Sequence, residues 1–115
     1  MFIATLVVSV AFAALLVVSA IGKLHRSPAQ VATLDRVGAL KIAPVLAALE
    51  LAGALGLLAG LLWWPLGVAA GTGLVLYFLG AIGAHLRVRD RMILPPTVLL
   101  IVSLAAVALR LASAA

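Results

Sequence analysis

The chain has 115 residues, 67% hydrophobic and 10% charged, with a formal net charge of +5 and no cysteine. A soluble domain of this size cannot bury so much apolar side chain, so a bilayer is the natural solvent. Without cysteine there is no disulfide framework, thiol chemistry, iron–sulfur cluster or Cys-ligated metal. The positive charge does not point to nucleic acid, because it is gathered in two short loops between apolar segments, where it reports orientation and contact with membrane lipids, the anionic ones above all.

The first apolar segment runs over Phe2–Gly22 and ends at Lys23, His25 and Arg26. Val18-Ser19-Ala20 has the look of a signal-peptide cleavage site, but no basic stretch precedes the apolar run, and the run is longer than a usual signal core. It reads as a membrane span. Over Ser27–Lys41 the pattern changes. Ser27 suits a helix N-cap and Pro28 the first helical position, Val31, Leu34 and Val37 recur every third residue, and Gly38 suits a C-cap. This segment is expected to be a short amphipathic helix lying at the interface.

Pro44–Leu62 is the second span: 19 residues, all apolar except Glu50. As a helix it is about 29 Å long, close to the thickness of a hydrocarbon core. The third span is expected over Leu66–Ala84, separated from the second only by Trp63, Trp64 and Pro65 in a tight hairpin at the interface. It ends at His85, and a loop with Arg87, Arg89 and Arg91 follows. The fourth span is Pro95–Ala112, with Pro95 and Pro96 in its first turn. The expected fold is all-α: one four-helix transmembrane bundle over residues 1–115, with a short interfacial amphipathic helix between spans one and two.

The loop after span one carries Lys23, Arg26, Arg36 and Lys41, the loop after span three carries three arginines, and the other side has only Arg110. The bias predicts both loops in the cytoplasm and both termini outside, as in a multi-pass protein of a bacterial inner membrane. Small residues predict the packing faces: Ser9, Ala13, Ala20 and Lys23 in span one; Ala43, Ala47, Glu50, Gly53, Ala54 and Gly60 in span two; Ala69, Gly73, Tyr77, Gly80 and Ala84 in span three. Span four, without glycine, is expected to be the most lipid-facing. The pairs Gly56/Gly60 and Gly67/Gly71 suit either packing within the bundle or a homo-oligomer interface.

An acid deep in a span costs roughly 2.5–3.5 kcal/mol on insertion scales and faces protein or a wet cavity. Glu50 is six residues past Pro44, about 9 Å from the basic end. His85 closes span three at the same end, Tyr77 lies about 12 Å deeper on an adjacent face, and Lys23 ends span one. Lys23, Glu50, Tyr77 and His85 can therefore converge, giving a ligand-binding or proton-relay site. The same residues also fit a structural reading, in which Glu50 forms a buried ion pair with Lys23 or Arg36, His85 is interfacial and Tyr77 hydrogen-bonds in the core. Asp35 and Asp90 are expected to pair with neighbouring arginines in solvated loops. No catalytic motif of a stand-alone enzyme is present. His25 and His85 with one inward acid make a poor metal or haem site.

Three stretches resemble the DoxX-like family of small four-helix membrane proteins: Ser19-Ala20-Ile21-Gly22-Lys23, the Glu50–Gly60 stretch with Glu-x-x-Gly and its Gly-rich Leu pattern, and Gly83-Ala84-His85. The wider family is similar to the membrane subunit of thiosulfate:quinone oxidoreductase and to a membrane protein needed for methylamine dehydrogenase maturation. The resemblance implies a four-helix bundle in quinone-linked redox or oxidant homeostasis, with a membrane quinone as cofactor and a redox protein as partner. Direct dithiol chemistry does not fit a chain without cysteine. Two other readings stand beside it. One is a small proton-coupled multidrug-type transporter, although such proteins carry their acid in the first span. The other is a scaffold that holds a soluble partner through the basic loops.

Overall fold

A computed structural model describes residues 2–91 and 93–114. They form five α-helices: α1 (Phe2–Leu24), α2 (Pro28–Arg36), α3 (Ala43–Ala59), α4 (Trp64–Arg87) and α5 (Leu94–Ala112), with a 3₁₀ turn at Leu40–Ile42 leading into α3. Four of them, α3 taken with its 3₁₀ turn, are long and apolar enough to cross a membrane. The four run up-down-up-down and close a ring in which α1 packs on α3, α3 on α4, α4 on α5 and α5 on α1. Short connections force this antiparallel order. Phe12 and Phe78 meet across the ring, 6.2 Å between ring centres.

Each packing face follows helical spacing. On α1 the buried side chains are Thr5, Ser9, Phe12, Ala13, Leu16, Ala20 and Lys23, and on α3 they are Ala43, Ala47, Glu50, Ala54 and Leu57. Both stripes match the small-residue faces read from the sequence. The α4 stripe does not. Helix α4 packs through Gly67, Gly71, Leu74, Phe78 and His85, while Ala69, Gly73 and Gly80 face outward. It carries small residues on two faces, and only one of them meets protein. Helix α5 is also no more lipid-exposed than α4, because Ser103 and Ala106 supply the small face that glycine supplies elsewhere.

The backbones come closest where α3 turns into α4. A Cβ added to Gly60 would lie 2.2 Å from the Gly67 Cα, and one added to Gly56 would lie 2.6 Å from the Ala70 Cβ. On the other side of α4, a Cβ on Gly71 would lie 2.6 Å from a Val107 methyl. Both Gly-x-x-x-Gly pairs thus serve packing inside the ring. The crowding also moves the expected hairpin: α3 ends at Ala59, the turn spans residues 60–63, and Trp64 and Pro65 already belong to α4.

Arg110 clamps this end. It is buried; its Nε donates to the Gly60 carbonyl at 2.7 Å and its Nη1 to Ser113 Oγ at 3.0 Å, and its guanidinium stands 5.6 Å from the Phe2 ring centre. Thr5 joins the clamp by donating to the Leu109 carbonyl at 3.0 Å. A cation at the C-terminus of α3 satisfies a carbonyl that has no helical partner and offsets the helix dipole. Arg110→Met is expected to destabilise the bundle by about 2–3 kcal/mol, read from detergent-titrated unfolding followed by circular dichroism.

At the opposite end, Gly38 (φ +75°) closes α2 as expected, with the Ala39 N–H bonded to the Leu34 carbonyl at 2.8 Å. Ser27 precedes α2 but makes no side-chain cap bond. All the exposed lysines and arginines of the described residues (Arg26, Arg36, Lys41, Arg87, Arg89 and Arg91) lie at this end, whereas Lys23 and Arg110 are inside the bundle.

Candidate functional site: a polar cavity at the basic end

The glycine contacts between α3 and α4 lie in the half of the bundle near Arg110. The other half holds a cavity of about 600 Å³, lined from all five helices. Its volume falls within the usual range for small-ligand sites, about 300–1,000 Å³. Helix α2 forms its cover on the loop side, with Gln30, Thr33, Leu34 and Arg36 turned toward it. This is the work of the amphipathic pattern: Leu34 and Val37 are buried, while α2 keeps its polar face at the rim.

All four residues singled out in the sequence, Lys23, Glu50, Tyr77 and His85, line this one cavity. Because α1 continues to Leu24, Lys23 lies in its last turn and points inward instead of belonging to the loop. Its Nζ is 2.7 Å from Glu50 Oε1 and donates to Ser19 Oγ at 2.8 Å. Glu50 is 2% exposed and Lys23 9%. The partner of Glu50 is therefore Lys23, and Arg36 is engaged elsewhere. Ser19 is four residues before Lys23 on the same helical face, which is how it reaches the ammonium group.

The pair is not closed on itself. Glu50 Oε1 is shut off from solvent and, although it faces the ammonium group, accepts no well-aligned hydrogen bond. Tyr77 reaches the same carboxylate from α4, close enough for its hydroxyl to interact with it. The site thus brings together an ammonium group, a carboxylate and a phenol from three helices.

His85 stands at the mouth. One ring nitrogen, Nδ1, meets the Ala81 carbonyl at 2.8 Å, and the other, Nε2, lies 3.8 Å from Asp90 Oδ2. Arg36 Nε donates to the same Asp90 oxygen at 2.8 Å. Asp90 thus pairs with an arginine as expected, but with one 54 residues away, and its carboxylate is largely covered while Arg36 stays exposed; the pair ties α2 to the end of α4 across the cavity rim. Arg87 adds a second tie by donating to the Val37 carbonyl at 3.4 Å. His25 does not line the cavity; it lines an adjoining groove beside α1.

The scan against family models agrees with this architecture: the model described as DoxX-like family matches residues 7–108. The chain belongs to the DoxX-like family. No curated protein and no solved structure matches it. In this DoxX-like chain the matched region takes in every helix except the first turn of α1 and the last turn of α5, and so holds the whole cavity.

Sequence reasoning missed Ser19, Gln30, Arg36 and Asp90. Ser19 carried a signal, its four-residue offset from Lys23. Gln30, which donates to Ser19 Oγ at 3.3 Å, carried none, because its place depends on how α2 folds back over the bundle.

Proposed function

We propose that this DoxX-like membrane protein binds a membrane quinone beside the Lys23–Glu50 pair, and that it acts as an accessory or quinone-interacting subunit in membrane-linked redox and oxidant homeostasis. In this reading the protein sits in a bacterial inner membrane with its basic loops in the cytoplasm and both termini outside. The observation that carries the reading is the cavity of about 600 Å³ that Lys23, Glu50 and Tyr77 line together from three membrane-spanning helices.

The chemistry matches on both sides. A quinone ring presents two carbonyl acceptors; the ammonium group of Lys23 and the hydroxyl of Tyr77 are donors. In the reduced form the ring hydroxyls become donors, and the Tyr77 oxygen, which accepts as well as donates, can receive one of them. The bound quinone supplies two-electron redox chemistry, and the chain's own residues hold it and present protons. His85, with Asp90 and Arg36, stands between the cavity and water, where protons are exchanged. The exposed arginines around the mouth supply the docking face for a redox protein. A cation exporter is the weaker reading, because Glu50 already faces Lys23 at 2.7 Å and a cationic substrate would have to displace that ammonium group from a buried site.

Equilibrium binding of a decyl-tailed benzoquinone to the protein in nanodiscs tests the reading. The parent protein is expected to bind it, and Tyr77→Phe, through loss of one hydrogen bond, and Gly80→Leu, through a narrowed opening, each to bind about tenfold more weakly. Gly80 lines the outward edge of the cavity and a Cβ there meets nothing within 4 Å, so the larger side chain narrows the opening without disturbing the backbone. Equal binding by all three proteins, or none by the parent, would sink the proposal.

A further inference from the structure

The cavity does not end at Tyr77. On the outer face of the bundle a groove runs between α3 and α4, lined by Leu49, Ala52, Gly53, Ala70, Gly73 and Leu76. Leu76 and Tyr77 line both the groove and the cavity, so the two adjoin. Apart from the Tyr77 hydroxyl, the side chains along the groove are apolar.

The depths follow from helix geometry. On α3, Gly53 is three residues beyond Glu50, about 4.5 Å further from the basic end; on α4, Gly73 and Ala70 are about 6 and 10 Å beyond Tyr77. A molecule with its head at Glu50 and its tail in this groove has its polar part toward the membrane surface and its apolar part toward the bilayer centre. That is the orientation a lipid-soluble amphiphile already has in the leaflet.

A second groove lies on the other side of the cavity, beside α1 and the start of α2. It shares Ser19, Gln30 and Glu50 with the cavity, and the Gln30 side chain donates there to both the Ser19 hydroxyl and the Ser19 carbonyl. Its lining includes His25, Ser27 and Gln30 at the basic end, so it leads toward the membrane surface, where a hydrocarbon tail is poorly placed. The α3/α4 groove leads the other way, from the Glu50–Tyr77 contact toward the bilayer centre.

We propose that the α3/α4 groove holds the tail of the ligand whose head lies beside Glu50, so that the ligand class is a long-chain prenylated quinone drawn sideways from the leaflet. The inference rests on the quinone reading above and adds the tail site, the route and the requirement for a long chain. Gly73 is the discriminating position. It lines the groove, and a Cβ there meets nothing within 4 Å, so a bulky residue occupies the groove while the fold stays intact.

The test compares a tailless benzoquinone with a long-chain prenylated one, each bound to the protein in nanodiscs. Gly73→Phe is expected to weaken the long-chain ligand by about tenfold or more and to leave the affinity for the tailless ring unchanged. Val18→Phe, on the exposed face of α1 in the other groove, is expected to change neither. If Gly73→Phe affects neither ligand, or Val18→Phe weakens the long-chain one, the route is wrong while the head site stands. If the parent protein binds neither ring, the quinone reading itself fails. Co-purified phospholipid that Gly73→Phe removes, or a change in oligomeric mass in that variant, would assign the groove to another occupant and overturn the proposal.

Discussion

Replacing Lys23 by Met, or Glu50 by Leu, is expected to destabilise the bundle by about 3–5 kcal/mol each, and replacing both together to restore most of the loss. The reason is desolvation. Both groups are at least nine-tenths buried, and Nζ and Oε1 are 2.7 Å apart. Removing one partner leaves a single charge with no counter-ion in an apolar surround; removing both leaves only a polar-to-apolar exchange. Detergent-titrated unfolding of the two single variants and the double variant gives the coupling as a double-mutant cycle. Single costs under about 1 kcal/mol would mean that the pair is solvated, contrary to its burial. The double variant also separates structure from function: it is expected to fold and to bind no quinone.

The second large effect is expected at Gly60. Gly60→Ala places a Cβ 2.2 Å from the Gly67 Cα, a contact with backbone that no rotamer change relieves. Helices α3 and α4 must then separate at their tightest point, and the Arg110 bond to the Gly60 carbonyl is strained with them. We expect a loss above about 3 kcal/mol, or failure to accumulate as folded protein. Gly73→Ala and Gly80→Ala are the controls. Each Cβ meets nothing within 4 Å, so alanine is expected to raise stability by about 0.5–1 kcal/mol through helix propensity alone. Thermal unfolding of the three variants side by side reads out the contrast.

Much of the architecture was legible because lipid leaves few options. Apolar runs of about 20 residues, punctuated by charges and prolines, allow only spanning helices. The stripes on α1 and α3 were readable because the buried small face also carries the polar residues of the helix, Ser9 and Lys23 on α1 and Glu50 on α3. The α4 stripe was not, since Gly67/Gly71 and Gly73/Gly80 are equally small and only three-dimensional contact decides between them. The convergence of Lys23, Glu50, Tyr77 and His85 followed from depth and helical phase. Their ties to Gln30, Arg36 and Asp90 depend on how α2 folds back across the bundle, and no local pattern encodes that. Arg110 looked like a topology marker for the same reason: its partner, the Gly60 carbonyl, is 50 residues away.

The most direct test of the central claim is native mass spectrometry of the protein released gently from its own membranes. The parent protein is expected to retain a mass matching a long-chain prenylated quinone, and Gly80→Leu, with the cavity's outward opening narrowed, to emerge folded but without it. A parent protein that is bare or carries only phospholipid, or a Gly80→Leu variant that still retains the quinone, would contradict the assignment of the Lys23–Glu50 cavity as a quinone site.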